Sequence, residues 1–176
     1  GITACPSNTV IILPNNKNIL STASQAAKIS DKVVSVVSST TIPQGIAAVL
    51  NYSLEKTVDV NVTDMENALS DVCSLGITEA TRSVKLDGVV VEQGQMIAVL
   101  EDSVVAAGED VVEVLKTALV TAGVYKDTLV TLYRGVGRSE NQAVKDTILL
   151  EQAFPDAEFE MVFGGQAHYH YLVSTE

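Results

Sequence analysis

The chain has 176 residues, and 47% of them are hydrophobic, which is enough apolar material for one full domain or two small lobes. Its formal net charge of −11 would repel the phosphate backbone of a nucleic acid and weaken attraction to anionic lipids, so no nucleic-acid partner is expected. The acidic excess is explained either by solubility or by complementarity to a basic protein partner.

No apolar stretch approaches the roughly 20 residues that a helix needs to cross a bilayer, so no membrane span is expected. The opening segment GITACPSNTV lacks the basic region of a signal peptide, and its abrupt start predicts a piece of a longer parent protein. Cys5 and Cys73 lack metal-ligand spacing and are interpreted as structural thiols. The protein is therefore predicted to be cytoplasmic.

The first part of the chain alternates short β-branched runs with segments of helical character. Residues 9–13 (TVIIL) and 32–38 (KVVSVVS) are continuous apolar runs, as expected of strands buried on both faces of a parallel sheet. Residues 19–29 and 46–53 carry apolar side chains at roughly helical spacing. The order strand, helix, strand, helix predicts a right-handed crossover unit with parallel strands.

A third helix is predicted within residues 59–72, where Thr63 is the expected N-cap and Glu66 completes a capping box. This helix closes the first lobe, which is predicted to span residues 1–75. Because the chain begins abruptly, this lobe is expected to be truncated at its start.

The remainder, residues 76–176, is predicted to hold an antiparallel β-meander and a second α/β lobe. Turn signals such as Asp87-Gly88 separate short β-prone runs over residues 76–108, which is typical of a meander. The fold class is therefore predicted as α/β, with two lobes, a mostly parallel sheet, and the meander between or beside them. The remaining elements are expected to be a helix at 109–123 that stops at Gly123, a strand at 128–135, a helix at 139–154 capped by Ser139, a strand at 158–165, and a final edge strand, HYHYLVSTE.

The sequence shows no convincing catalytic constellation, neither a nucleophile with a base nor a metal cluster nor a phosphate-binding motif. His168 and His170 would share one face of a strand, and they are interpreted as an exposed edge-strand pair, with a metal site as the alternative. The segment GVGRSE lacks the full GxxxxGK[ST] and GxGxxG patterns, so it is interpreted as a strand-to-helix turn rather than a nucleotide site. No catalytic residue or metal ligand is assigned.

Polar side chains gather at the corners that follow the first two predicted strands. In an open parallel sheet, ligands and partners dock in the crevice outside the carboxyl ends of adjacent strands. The PNNKN and STTIPQG loops supply amides, hydroxyls and one positive charge there, although each residue alone is also explained as a helix cap or turn former. The candidate binding residues are Asn15, Asn16, Lys17, Asn18, Thr40, Thr41, Pro43, Gln44 and Gly45.

Three ordered motifs carry a family resemblance that extends through the whole chain. VIILPNNKNI, TIPQGIAA and the terminal FGGQAHYHYLVSTE resemble the carboxy-terminal domain of the catalytic subunit of bacterial fatty-acid kinase, a family related to dihydroxyacetone kinase and to DegV-type lipid-binding proteins. The resemblance implies two DegV-like α/β lobes. Family members usually carry proline where this chain has Ala167, and often where it has His170, which leaves the role of both histidines open.

The resemblance also implies a division of labour within the parent protein. In that family the full protein phosphorylates the carboxyl group of a fatty acid held by a separate DegV-type carrier, and ATP and magnesium bind an amino-terminal kinase domain. This chain lacks an aspartate-rich cluster of that kind, so it is expected to be noncatalytic and to hold no cofactor itself. The expected partner is the DegV-type fatty-acid-binding carrier protein, and a homodimeric parent protein is left open.

The last candidate segment is GGQ, where Gly164, Gly165 and Gln166 would lie at the equivalent strand end of the second lobe. Two glycines allow close backbone approach, although a simple glycine turn into an edge strand explains them equally well. Three functions are compared: a noncatalytic carrier-binding domain of a fatty-acid kinase, a small-molecule module that binds a fatty acid, an acyl phosphate or another anion, and an autonomous enzyme. The first is favoured, because the three motifs match and the kinase residues are missing.

Overall fold

A computed structural model describes residues 1–86 and 88–176 of the chain. They form two compact units, Gly1–Val72 and Cys73–Glu176. The division lies close to the boundary expected at residue 75, and it falls earlier because a long strand begins at Cys73. No helix in the described part of the chain is long and apolar enough to span a membrane.

The first unit contains two short parallel strands joined by a helix. β1 (Thr9–Ile12) and β2 (Val33–Val36) pair in parallel, and α1 (Leu20–Lys28) connects them. The predicted strand–helix–strand order with parallel strands is thereby confirmed. The buried core of this unit is formed by Val37, Ala48, Met65 and Leu69.

The second helix of this unit, α2 (Ile42–Leu50), begins earlier than the helix predicted at 46–53. The Thr41 hydroxyl caps it by accepting a hydrogen bond from the Gln44 N–H group. Proline is tolerated in the first turn, because the first N–H groups of a helix have no intrahelical acceptor. Pro43 and Gly45 are therefore helical, and their interpretation as turn formers is wrong.

The third helix, α3 (Val58–Ala68), also begins earlier than predicted. Thr57 is its N-cap, because the Thr57 hydroxyl accepts a hydrogen bond from the third N–H group of the helix. Thr63 lies inside the helix, so the predicted capping box of Thr63 and Glu66 is wrong. The first turn of α3 was not predicted, because its valines have low helix propensity. Packing of α3 against α2 outweighs this low propensity.

The strands of the second unit are β3 (Cys73–Glu79), β4 (Val84–Leu86), β5 (Val89–Val91), β6 (Met96–Leu100), β7 (Ser103–Gly108), β8 (Leu129–Arg134), β9 (Glu158–Phe163) and β10 (Tyr169–Thr175). Six of them form one sheet in the order β7-β6-β3-β10-β8-β9, and β4 and β5 pair antiparallel in a separate two-stranded sheet. Neighbouring strands of the sheet pair antiparallel except β8 and β9, which are parallel.

This arrangement confirms the α/β class and the antiparallel meander. The expectation of a mostly parallel sheet is wrong for the second unit, because the meander strands β3, β6 and β7 join the same sheet as the α/β strands. The predicted turn at Asp87-Gly88 lies partly outside the described residues, since Asp87 is not among them.

The terminal strand β10 is not the edge strand that its sequence predicts. It lies in the middle of the sheet between β3 and β8, and the sheet edges are β7 and β9. The alternating pattern of HYHYLVSTE suggested a half-exposed strand. However, Tyr171 and Val173 are fully buried, because both neighbouring strands and the packed helices enclose them.

Two helices pack on this sheet, both close to their predicted positions. α4 (Val111–Thr121) contacts β6 and β7, and it ends just before Gly123, whose φ of 78° suits a helix stop. α5 (Glu140–Ala153) contacts β9 and is capped by Ser139, with Gln142 completing a capping box. The predicted stop at Gly123 and the predicted cap at Ser139 are confirmed.

Candidate functional site

The residues predicted to bind a partner or ligand lie at two corners of the molecule. The polar corner consists of residues 15–18 and 38–45 and follows β1 and β2 in the first unit. The glycine corner consists of residues 135–138 and 164–166 and follows β8 and β9 in the second unit. Each corner lies at the carboxyl ends of a parallel strand pair.

Asn15 joins the two loops of the polar corner. Its backbone N–H donates to Ser39 Oγ at 3.2 Å, and the Ser39 hydroxyl donates to Asn15 Oδ1 at 2.7 Å. Asn15 has a φ of 54°, in the left-handed region that asparagine tolerates better than most residues. Since Ser39 is fully buried, this pair fixes the first loop against the second. The two loops therefore meet, as their positions in the sequence predict.

The Asn15 amide also occupies the space beside Gly45. A Cβ atom at position 45 would lie 2.1 Å from Asn15 Oδ1, so a side chain there would displace the amide. Gly45 is needed for this close approach and not for its backbone conformation. Asn15 thus fills part of the strand-end crevice in which a ligand could have been bound.

The second loop of the polar corner is held by its own hydrogen bonds. The Thr40 N–H group and the Thr40 hydroxyl each donate to Gln44 Oε1 at 2.9 Å. The Gln44 amide nitrogen donates to the Leu69 carbonyl at 3.5 Å, and Thr41 caps α2. Pro43 is buried. The polar groups of Thr40 and Gln44 therefore stabilise the loop.

The outward face of the polar corner is the outer loop, residues 16–18. Asn16, Lys17 and Asn18 are all exposed. The Asn18 N–H group donates to Asn16 Oδ1 at 2.9 Å, which makes a local turn that leads into α1. Ile19, the next residue, is 47% exposed. Ile42, within the second loop, is 45% exposed, so the corner exposes amides, an ammonium group and apolar side chains.

Glu66 completes the polar corner, and the sequence interpretation missed this role. Its carboxylate accepts hydrogen bonds from the Ser38 N–H group at 2.7 Å and from the Ser38 hydroxyl at 2.6 Å. These bonds tie α3 to the segment after β2. No local signal could have revealed this contact, because 28 residues separate the two partners.

The glycine corner closes on its own backbone. The N–H groups of Gly164 and Gly165 both donate to the Arg134 carbonyl, at 3.0 and 3.1 Å. Gly165 has a φ of 71°, which favours glycine, and the Gln166 amide nitrogen donates to the Tyr133 carbonyl at 2.7 Å. These bonds join β9 to β8, and the binding role predicted for GGQ stays a prediction.

Gly135 is the tightest glycine of this corner, and it was not singled out from the sequence. A Cβ atom at position 135 would lie 2.0 Å from the Tyr169 carbonyl oxygen and 2.8 Å from that of Gln166. The Gly135 N–H group also donates to the His170 carbonyl at 2.9 Å. The GVGRSE segment is thus a strand-to-helix turn, as interpreted, with one glycine required by backbone contact.

A network of ionic and hydrogen-bonding side chains anchors the glycine corner to α5 and β10. Arg138 donates two hydrogen bonds of 2.7 Å to the Asp146 carboxylate, which is 4% exposed, and the Tyr171 hydroxyl donates to it at 2.7 Å. Burial, together with the hydrogen bond to Asp146, raises the pKa of the Tyr171 phenol well above its usual range. The same carboxylate raises the pKa of Arg138. No local pattern indicates this network, because its members lie on three segments of the chain.

The two histidines do not lie on one regular strand face. His168 precedes β10 with a φ of 70°, and the pairing of β10 with β3 shifts register between Tyr169 and Tyr171. This shift removes the regular alternation on which a shared strand face depends. Within residues 1–86 and 88–176, no group of three histidine, cysteine or acidic side chains is arranged to hold a metal ion.

The chain matches other proteins over nearly its whole length. Residues 1–176 match the family model of the FakA-like C-terminal domain of fatty acid kinase. The chain is 36% identical over 169 residues to an uncharacterized protein of Staphylococcus aureus strain USA300, and the alignment covers 94% of this chain and 30% of that protein. A counterpart in strain MRSA252 is 34% identical over 168 residues with the same coverage. The chain thus spans about 30% of the length of the curated relatives it matches.

Solved structures with the same fold come from the DegV group. The Streptococcus pneumoniae fatty acid kinase B3 protein loaded with linoleic acid superposes with a TM-score of 0.67 at 13% identity, covering 97% of this chain and 72% of that chain. A DegV family protein of Corynebacterium glutamicum gives 0.64 at 13% identity, covering 96% and 74%. These similarities establish a DegV-type fold. With the match over its full length, the chain belongs to the FakA-like C-terminal family of fatty acid kinases.

Proposed function

We propose that this chain is the noncatalytic domain with which a fatty-acid kinase docks a DegV-type carrier protein loaded with fatty acid. The observation that carries the proposal is the construction of the polar corner, which is closed inside and polar outside. Asn15 fills part of the crevice and bonds to Ser39, while residues 16–18 are exposed. Family membership supplies the kinase context.

A small-molecule site at the same corner is the competing function. Such a site needs space and polar groups that are free to orient the ligand. At the polar corner the Asn15 amide oxygen, the Ser39 hydroxyl and the Gln44 amide all bond within the protein. An exposed polar loop on a rigid base suits a protein partner better. The Streptococcus pneumoniae neighbour loaded with linoleic acid has this fold, so fatty-acid binding stays an outcome of the test.

The rest of the parent protein would supply the chemistry in this proposal. ATP and magnesium would bind a kinase domain outside this chain, and the carrier would present the fatty-acid carboxyl group to it. We place the parent protein in the cytoplasm and propose no membrane or nucleic-acid partner, consistent with the net charge of −11. The role of the present chain is to hold the carrier in position.

Titration calorimetry of the acyl-loaded carrier against the chain and against the intact parent protein tests the proposal. Lys17→Glu reverses the charge of the outer loop, and we expect it to weaken carrier binding about tenfold. Lys28→Glu is the matched control, because Lys28 is an exposed lysine near the other end of α1. This helix has 9 residues and a length of about 13 Å. Because that length exceeds the screening length at physiological salt, a charge change at Lys28 should have little effect on the electrostatics of the outer loop.

Several results would contradict the proposal. Normal carrier binding by the parent protein with none by this chain would place the docking surface elsewhere. A fatty acid retained by the purified chain and detected by mass spectrometry would favour the small-molecule function. Steady ATP turnover by the chain alone would indicate an autonomous enzyme. Equal losses in Lys17→Glu and Lys28→Glu would show that net charge, and not the polar corner, governs binding.

A further inference from the structure

A cleft of about 550 Å³ lies in the second unit, where two segments noted in the sequence come together. Gly137 belongs to GVGRSE, and His168 and His170 belong to the terminal HYHYLVSTE segment. The proposed docking function uses neither segment. The polar side chains that line the cleft are those of Thr78, Glu79, Thr81, Gln93, His168, Tyr169 and His170.

The backbone around the cleft departs from regular structure at both histidines. The register shift between Tyr169 and Tyr171 leaves His170 as an extra residue opposite β3, and such bulges re-aim side chains. His168 has a φ of 70°, which is costly for a residue with a side chain. The Thr78 hydroxyl holds this conformation by donating to the His168 carbonyl at 2.6 Å. Neither feature is required to continue the sheet.

One polar atom at the cleft lacks a partner. His170 Nδ1 is buried and has no hydrogen-bond partner among the described residues. Buried polar atoms are nearly always paired, so the imidazole of His170 keeps a hydrogen-bonding position that no described protein group uses. The position that a Cβ atom of Gly137 would occupy is 3.7 Å from His170 Nδ1 and lies at ordinary contact distance. The absent side chain of Gly137 therefore leaves space next to the imidazole.

The charge of the cleft selects the kind of group that fits it. Among the described lining residues Glu79 is the only carboxylate and no lysine or arginine is present, and the chain as a whole carries a charge of −11. This field disfavours anions and attracts cations. Thr81 and Gln93 add oxygen acceptors. We propose that the cleft binds a protonated amine or guanidinium group, which donates hydrogen bonds to the His170 imidazole and pairs with Glu79.

This chemistry has two sources, a basic side chain of a protein partner and a free polyamine. The site lies in the second unit and is independent of the polar corner, so it can fail without affecting the docking proposal. The chain contains 2 histidines, so their imidazole NMR signals report directly on the cleft. N-acetylarginine methylamide and spermidine serve as cationic probes of the two sources, and acetate and inorganic phosphate serve as anionic probes, all at matched ionic strength.

We expect saturable shifts of the His170 signals with at least one cationic probe and none with the anions. The probe that binds more tightly identifies the source. Gly137→Val should abolish the shift by filling the space beside the imidazole, whereas Gly137→Ala should weaken it less. Glu79→Gln should lower the affinity about two- to fivefold. His170→Phe removes the nitrogen while keeping a planar ring, and binding measured by calorimetry should then be lost.

Several outcomes would overturn the proposal. The absence of saturable shifts with both cationic probes would remove the site. Tighter binding of an anion would reverse the charge assignment, and unchanged binding in Gly137→Val would place the probe elsewhere. Circular dichroism of each variant checks the fold. If His170→Phe does not fold, the Gly137 pair and Glu79→Gln still decide the result, because both positions are exposed.

Discussion

The polar corner and the glycine corner occupy equivalent positions, each at the carboxyl ends of two parallel strands, yet they are built differently. At the polar corner, side chains join the loops, as in the Asn15–Ser39 pair, and further polar groups face outward. At the glycine corner, backbone N–H groups and carbonyls bond directly across the Gly164–Arg134 contact. The polar corner therefore leaves polar side chains exposed on its surface, whereas the glycine corner uses its polar backbone groups to bond within the protein.

This difference shows that equivalent topology does not produce equivalent surfaces. A corner closed by backbone needs glycine, since a Cβ atom would collide with carbonyl groups. It also needs support beneath, which the Arg138–Asp146 pair supplies. At a corner closed by side chains, the outer loop stays exposed, so its residues can be substituted without disturbing backbone contacts. Four measurements test this contrast.

Removing the support of the glycine corner should have the largest effect. Asp146→Ala leaves the Arg138 guanidinium and the buried Tyr171 hydroxyl without their acceptor. We expect the free energy of unfolding to fall by about 3–5 kcal/mol, measured by urea denaturation. Lys56→Ala breaks the exposed pair with Asp64 and should cost at most about 1 kcal/mol. Similar losses in the two variants would mean that the buried network contributes no more than a surface pair.

Gly135→Ala tests the backbone contact at the glycine corner. Its new Cβ atom would lie 2.0 Å from the Tyr169 carbonyl oxygen, so two backbone segments must move apart. We expect a loss of about 1–3 kcal/mol in the free energy of unfolding. Gly164→Ala is the control, because the nearest atom to its new Cβ would be at the end of the Gln166 side chain, at 2.3 Å, and not in the backbone. A larger loss in the control than in Gly135→Ala would contradict the assignment.

Ser39→Ala tests the side-chain closure of the polar corner. The half-buried Asn15 amide oxygen loses its donor, and we expect destabilisation by about 1–2 kcal/mol in urea denaturation. Ser38→Ala removes an exposed hydroxyl that bonds to Glu66 and should cost less than about 1 kcal/mol. Carrier binding should fall in Ser39→Ala if a fixed outer loop matters. Unchanged stability in Ser39→Ala would show that the loop is held by other contacts.

Alkaline pH offers the smallest and most specific test of the buried network. The folded protein holds the Tyr171 proton above the ordinary phenol pKa of 10.0, whereas the unfolded chain releases it there. The free energy of unfolding should therefore fall above about pH 10, by up to about 1.4 kcal/mol per pH unit from this group. Tyr171→Phe should flatten this decline in urea denaturation between about pH 9 and pH 11. An equally steep decline in the variant would contradict the assignment.

The sequence by itself predicted much of the local structure. The apolar runs that became β1 and β2, the helix between them and the cap at Ser139 depend on neighbouring residues, which a sequence shows directly. It also predicted that the PNNKN and STTIPQG loops meet, because the ends of parallel strands lie at one sheet edge. The starts of α2 and α3 were missed, since packing can outweigh local propensity.

Local patterns and motifs therefore determined the α/β class, the order of the elements and the family. Tertiary structure alone decided that β10 lies in the centre of the sheet, that the Asn15 amide occupies the space beside Gly45 and that Asp146 joins Arg138 to Tyr171. These contacts connect residues far apart in the chain, and their energies depend on burial and on atomic distances. Burial and atomic distances are set only when the whole chain has folded, so they cannot be read from local sequence.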